Sequence, residues 1–486
     1  MSDIVDGLTI PTSLYIGGTW RSSSDSSTFP VVDPATGETI TEVANGTAED
    51  ALACVDAAEL AAPVWAATSP RERSTILLRA FSLMIEKKQQ LAELIVRENG
   101  KAMADALGEV QYSAEFFRWY AEEAVRIPGE ITDSPSGQNK ILVLRQPMGI
   151  ALLITPWNFP AAMATRKIGP ALAAGCTAIL KPASETPLTA LAIGQILEDA
   201  GVPPGVVNIL PSRASGTVAN AILHDPRVRK LSFTGSTEVG RTLLAVAADQ
   251  VISCSMELGG NAPLVVCADA DLEVAVEGAM VAKMRNGGQA CTAANRIYVH
   301  RSIADEFSRR LAERMAGLNV GSGLDTAVDV GPLVNLESVA KVEQLVDDAV
   351  QRGATTVTGG ARPDSPGYFY QPTVLTDVDP QSQILEEEIF GPIAPVVAFD
   401  TDDEAIEMAN GTIYGLVAYV FTQDLARGLR ISERLEAGMI GLNRGLISDA
   451  AAPFGGVKQS GLGREGSHEG LLEYTEPKYI ALDWSE

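Results

Sequence analysis

Histidine is nearly absent from this chain. Three occur among 486 residues, His224, His300 and His468, none near another and none beside a Cys-x-x-Cys pair. A metal site of the zinc type and a histidine-based catalytic triad are therefore not expected. Cysteine is also scarce: five are scattered along the chain, too few for a disulfide framework, so a reducing cytoplasm is the expected setting. Positive charge is in deficit, with 37 Lys+Arg against 62 Asp+Glu and a net charge of -25. Nucleic-acid binding needs a basic footprint, and an anionic membrane surface attracts one; neither partner fits. No apolar run spans a bilayer, since the candidate near 160–180 is broken by Arg166, Lys167 and Pro170. The start, MSDIVDGLTI, has no basic stretch followed by an apolar one, so no signal peptide is read. Internal repeats and low-complexity segments are not visible.

What is present reads as a large α/β protein. At 486 residues the chain exceeds one ordinary core, so two or three domains are expected. Its 46% hydrophobic and 20% charged content is that of a soluble globular protein. Residues 14–44 read as short strands and turns. Thr47-Ala48-Glu49-Asp50 opens a helix as a capping box with Asp in the fourth place. Ser69-Pro70 opens a second helix carried to Gly100, and a third ends near Ile127. Residues 130–147 are a polar, strand-like excursion. From 149 to 257 strands and helices alternate, which implies a parallel sheet covered on both faces. A second α/β run follows from 260 to about 460. The tail YTEPKYIALDW is strand-like, and either the 130–147 excursion or another subunit can pair with it.

Ligands bind at the carboxyl ends of such strands. The residues there are Pro156-Trp157-Asn158-Phe159, Lys181-Pro182-Ala183-Ser184, Thr234-Gly235-Ser236 and Glu257-Leu258-Gly259-Gly260. Gly235 and Ser236 lie where a strand turns into a helix, and free amides there suit a pyrophosphate, although a plain βα turn reads the same way. Lys181 is a point charge for ribose hydroxyls or phosphate. Ser184 permits a 2′-phosphate where an acidic residue would repel it; Glu185 is expected to point away, because neighbours on an extended chain alternate. Arg213 is either a further 2′-phosphate contact or a solvated loop arginine. Glu257 ends an apolar strand, so partial desolvation would raise its pKa and suit a general base, or it is a salt-bridged strand-end glutamate. Asn158 offers an amide N–H to an oxyanion, or is a turn asparagine. Cys291 follows Gly287 and Gly288, with Arg285 and Arg296 on either side. Its polar, partly cationic surroundings favour thiolate, so it is either a nucleophile or a free surface-loop cysteine.

Seven motifs in order resemble the aldehyde dehydrogenase superfamily: ITPWNFP (154–160), KPASETP (181–187), FTGSTEVG (233–240), ELGGNAP (257–263), GGQAC (287–291), EEIFGP (387–392) and PFGGVKQSGLGREG (453–466). The match is narrowest with succinate-semialdehyde dehydrogenases. The resemblance implies two Rossmann-type parallel-sheet domains and a small β oligomerisation element. Residues 1–128 and 148–258 would form the dinucleotide-binding domain, 259–462 the catalytic domain, and 129–147 with 463–486 the oligomerisation element of a homodimer or homotetramer. The cofactor implied is NADP, with NAD possible. Cys291 looks like the nucleophile, Glu257 the general base, and Asn158 an oxyanion donor together with the Cys291 N–H. Thr155, Pro156, Trp157, Lys181, Ser184, Gly235, Ser236 and Leu258 match cofactor contacts, and Glu388 and Phe390 match the contacts of the nicotinamide end. Arg166, Arg285 and Ser448 match positions that hold a substrate's distal carboxylate; structural salt bridges are the other reading of the arginines.

The implied reaction is oxidation of succinate semialdehyde to succinate through a cysteine thiohemiacetal and a thioester hydrolysed by a glutamate-activated water. A dehydrogenase of glutarate semialdehyde, 2-oxoglutarate semialdehyde or an uncharged aromatic or aliphatic aldehyde is the alternative within enzymes. A non-catalytic binding protein is the alternative outside them. Three departures stand out. Ala293 occupies the place two residues after Cys291 where some relatives carry a second cysteine, LPSRASG replaces the usual loop near the adenine, and NRGLISDAAAPFGG alters the substrate loop.

Overall fold

The computed structural model describes residues 2–483. Met1 and residues 484–486, including the end of the strand-like tail, lie outside the described residues. Two large sheets carry the chain, each centred on strands buried on both faces. The first has eight strands. Its parallel centre runs through Ser253–Glu257, Val228–Thr234, Ile150–Ile154, Thr177–Lys181 and Val207–Ile209. Period-two alternation sends Ala151 and Leu153 into one core, and Ile150, Leu152 and Ile154 into another. Helices cover both faces, as the βα alternation predicts.

The edges of this sheet depart from an all-parallel expectation. Leu14–Ile16 joins Val207–Ile209 antiparallel, and Gly461–Leu462 joins Ser253–Glu257 antiparallel on the opposite edge. The last of these lies beyond the second sheet in sequence, so the chain returns to the first unit before it ends. The second sheet has seven strands, parallel except for its outermost pair, and centres on Ala262–Val266 and Ala294–His300. Here Leu264 and Val266 face one core while Val265 and Cys267 face the other.

A third sheet pairs Thr475–Leu482 with Lys140–Pro147 along its whole length, and Glu130–Asp133 flanks that pair. The tail therefore joins the excursion of its own chain. It does so only from Thr475; the preceding Ser467–Leu472 helix packs on Met103–Ala124 and Pro160–Ala174 instead. The strand of the tail itself begins at Thr475. Ile131, Leu144 and Tyr479 leave this sheet with exposed apolar side chains.

Local chemistry explains most boundaries. Thr47 Oγ1 accepts from Asp50 N and Asp50 Oδ2 accepts from Thr47 N, which closes the capping box before Ala48–Ala67. The helix expected from Pro70 to Gly100 is two helices, Pro70–Glu86 and Lys88–Asn99, divided at Lys87. No Gly or Pro marks that break. The second ends at Gly100 with φ 91°, where a side chain would be strained. A hairpin of Ser2–Val5 and Leu8–Ile10 precedes the first strand read from sequence. Among the described residues no single helix is long and apolar enough to cross a membrane.

Candidate active site

Parallel registry brings four strand ends level. Ile154 pairs with Lys181 and with Phe233, and Thr234 pairs with Glu257. The segments after them, which carry Asn158, Ser184, Ser236 and Leu258, therefore emerge along one edge of the first sheet. Cys291 meets that edge from the other unit, in the turn that leads into Ala294–His300. The contact is close: a Cβ on Gly260 would lie 2.4 Å from the Cys291 carbonyl oxygen. Gly260 is thus required by space.

The Cys291 loop is held in a bent conformation. Asn286 has φ 52° and Gly287 φ 60°, both left-handed. Asn286 N donates to Asp105 Oδ2 at 2.7 Å, and its side-chain Nδ2 donates to the Asn158 carbonyl at 2.9 Å. Asn158 Nδ2 donates to the Gln289 carbonyl at 3.1 Å. That bond uses one of two amide hydrogens, so a second donor remains beside the cysteine. Lys101 Nζ also donates to the Asn158 carbonyl, at 2.8 Å, and pairs with Glu109 at 2.5 Å. Both side chains are fully buried. Glu109 Oε1 accepts from Ala161 N at 2.9 Å, which anchors the helix after Asn158. Nothing near Lys101 or Glu109 in the sequence marks this support, because it joins residues 57 apart.

Electrostatics correct one expectation. Burial pushes the Cys291 thiol up to about 12; Arg166 and Arg285 pull the other way without offsetting it. The cationic surroundings therefore do not by themselves yield a thiolate. Glu257 is 3% exposed. Burial first, and then the nearby Glu465 carboxylate, raise it well above the ordinary range, although Arg166 and Lys167 oppose this. Among the described residues its Oε2 has no hydrogen-bond partner.

The nucleotide-like residues form a second group. Lys181 is 4% exposed, and burial lowers its ammonium to about 8 against the pull of Glu185. Ser184 Oγ donates to Glu185 Oε2 at 3.2 Å, so Glu185 turns toward Ser184. The expected alternation fails because the backbone bends here after the strand has ended. Ser236 Oγ accepts from Val239 N and caps Thr237–Ala248, while Gly235 lies over the Phe233 ring. Leu258 N donates to the Ser460 carbonyl and Thr155 N to the Lys181 carbonyl, which fixes both turns. Glu388 Oε1 accepts from Gly260 N at 3.1 Å; burial pushes this carboxyl up to about 7. Phe390 stands edge-on to Trp157, with ring centroids 5.3 Å apart, and Pro156 precedes that tryptophan in the same turn. Arg213 is exposed above the Phe29 ring, beyond the end of the strand next to Thr177–Lys181.

The third group is basic. The Arg166 guanidinium is 1% exposed, stacks 4.3 Å above the Phe454 ring and pairs with Glu465 at 2.5 Å. Lys167 shares that carboxylate at 2.5 Å and donates to Ser232 Oγ at 2.9 Å. Arg166 thus has a structural partner. Arg285 differs: its guanidinium stacks 4.6 Å above Phe159 and donates to Ser448 Oγ at 3.3 Å. Among the described residues it has no carboxylate partner. Glu465, Lys167, Lys101 and Glu109 all escaped sequence reading; the GREG stretch around Glu465 was the only available signal.

A profile of the aldehyde dehydrogenase family matches residues 20–480. A succinate-semialdehyde dehydrogenase of Paenarthrobacter nicotinovorans is 54% identical over 90% of this chain and 98% of its own. A glutarate-semialdehyde dehydrogenase of Pseudomonas aeruginosa is 48% identical over 96% of this chain and 97% of its own. Among solved structures, an NADP-dependent enzyme of E. coli superposes with TM-score 0.96 at 46% identity, covering 98% of each chain.

Proposed function

Since the chain belongs to the aldehyde dehydrogenase family and is an NAD(P)-dependent oxidoreductase of that family, we propose that it oxidises succinate semialdehyde to succinate. The observation that carries this reading is Arg285, a cation whose charge acts on Cys291 and which has no carboxylate partner among the described residues. In a protein of net charge -25, a small anionic aldehyde needs such a local counter-charge. Arg166, already balanced by Glu465, serves as a secondary contact, and Ser448 orients Arg285. Residues 1–128 and 148–258 make the dinucleotide-binding unit and 259–462 most of the catalytic one. The three-stranded sheet, with its exposed apolar side chains, serves as the oligomerisation element of a homodimer or homotetramer.

The residues present fit a nicotinamide dinucleotide. Lys181 and Ser184 stand at one strand end, free amides open the helix at Ser236, and Glu388 with Phe390 lies toward Cys291. Thr234 Oγ1 is buried there without a hydrogen-bond partner among the described residues. When bound, the cofactor accepts the hydride. The protein's own work begins with the Cys291 thiol giving up its proton to solvent and its sulfur attacking the aldehyde carbon. The carbonyl π-bond becomes an oxyanion, which the spare Asn158 N–H and the Cys291 N–H receive; one such donor is worth roughly 3 kcal/mol. Loss of hydride leaves a thioester on Cys291. Glu257 then takes a proton from water, the water oxygen bonds to the acyl carbon, and the C–S bond breaks to release the acid.

Both Cys291 and Glu257 act deprotonated, and both are raised, so kcat/KM should climb with pH through neutrality. Glu465→Gln removes a carboxylate that raises Glu257. The acid limb of the kcat profile should then move to lower pH; an unmoved limb would exclude this coupling.

The substrate reading is tested by kcat/KM for succinate semialdehyde, glutarate semialdehyde and butanal, each with NAD and NADP. Strong preference for the four-carbon semialdehyde is expected, and equal rates with butanal overturn it. NADP is the preferred cofactor on this reading, because position 184 is serine. Ser184→Glu should reverse the preference by repelling the 2′-phosphate. Glu185 already presents a carboxylate to Ser184, so Glu185→Gln should favour NADP further.

A further inference from the structure

Tyr112 projects from the helix Met103–Ala124 into the region between the two arginines. Its ring stacks edge-on with Phe116, centroids 4.9 Å apart, and packs against the small cluster of Phe159, Met163, Ala290 and Ala293 that flanks Cys291. The Arg285 guanidinium stands 5.9 Å from the centre of the same ring. With Ser448, Tyr112 lines a cavity of about 510 Å³ whose charged lining residues are Glu115, Arg118, Glu122 and Asp449. The hydroxyl is buried with the Arg166 guanidinium beside its oxygen, and among the described residues its own proton has no acceptor. Such a group carries a desolvation penalty of roughly 1–3 kcal/mol unless something in the cavity satisfies it. An extended aromatic side chain held by two ring contacts has few ways to find a partner elsewhere.

We propose that the Tyr112 hydroxyl is a specificity-determining donor, which together with Arg285 and Ser448 receives the distal carboxylate of the substrate. The inference rests on the semialdehyde reading of the preceding section. The chemistry fits on two counts. Burial raises the phenol, with the two arginines opposing, so the group remains a proton donor across the working range of pH. A carboxylate accepts several hydrogen bonds at once, and a phenol can satisfy a lone pair that a guanidinium fork leaves open. The donor also supplies rejection. An uncharged aldehyde of the same length would leave the hydroxyl unpaired, and a site built to bond a polar group discriminates strongly against a ligand that lacks one.

The test is Tyr112→Phe in the full-length enzyme, which keeps the ring and its contacts. For succinate semialdehyde KM should rise about tenfold or more, and inhibition by succinate should weaken by a similar factor. With butanal, kcat/KM should stay the same or improve. A parallel loss with both aldehydes would mean a structural role and overturn the inference. So would unchanged KM and unchanged inhibition by succinate in a variant whose parent prefers the semialdehyde. Failure of the underlying reading looks different: the unaltered enzyme itself would show no preference for the carboxylated aldehyde. A Tyr112→Leu variant checks the ring separately, because only loss of the ring should disturb both substrates.

Discussion

Glu257→Gln is expected to release a single burst of reduced cofactor, close to one per site, and then stall. Formation of the thioester needs a sulfur nucleophile and an oxyanion donor, which the variant retains. Hydrolysis needs a base positioned for water, which it lacks. General-base contributions of this kind are worth roughly 10²–10⁴ in rate, so steady-state turnover should fall by that order while the burst remains visible. Glutamine preserves the shape of a side chain that is 3% exposed, so the fold should survive. The protein mass should increase by the acyl group, and hydroxylamine should remove it. Normal turnover in the variant would assign the base elsewhere. A missing burst would mean that Glu257 also takes the Cys291 proton, a reasonable second duty where burial pushes the thiol up to about 12.

Arg285→Met should lower kcat/KM for succinate semialdehyde by roughly a hundredfold or more, the scale of losing charge-assisted bonds to a carboxylate. Methionine keeps an unbranched stem over Phe159, so butanal oxidation should be nearly unaffected. The same change at Arg166 should behave differently. Arg166 is buried and paired with Glu465, and its removal leaves a carboxylate balanced by Lys167 alone. Loss there should extend to both aldehydes and to stability, measured by urea unfolding, where breaking a buried pair costs about 3–5 kcal/mol. If Arg285→Met harmed both substrates equally, the carboxylate role would fall.

The two sheets were legible because buried parallel strands are short apolar runs bounded by turn residues, as IALLI and TAILK show. The Thr47–Asp50 capping box was legible because its partners lie three residues apart. Legibility ended where partners are distant or where the backbone bends without a marker. Lys87 divides a helix without Gly or Pro, and Glu185 turns back on Ser184 past the end of its strand. The cationic sequence around Cys291 predicted thiolate, whereas depth in the fold decides the opposite direction. Tyr112 reads as one more aromatic residue on an amphipathic helix until Phe159, Arg166 and Arg285 are placed around it. The Lys101–Glu109 pair is eight residues apart, but its purpose is the Asn158 carbonyl.

The carboxylate of Glu465 has a consequence for biosynthesis. It balances Arg166 and Lys167, the latter 298 positions earlier in the chain, and the adjoining Gly461–Leu462 strand completes an edge of the first sheet. A nascent chain that has already made the whole nucleotide-binding framework therefore still holds two cations whose ion-pair partner has not been synthesised. Both ion pairs and that edge strand can form only after the C-terminal segment has left the ribosome. Contacts of such long sequence separation slow folding and expose intermediates. Chains cut short before 465 should consequently be recognised as unfolded and degraded, and partial products with half a working site would not accumulate.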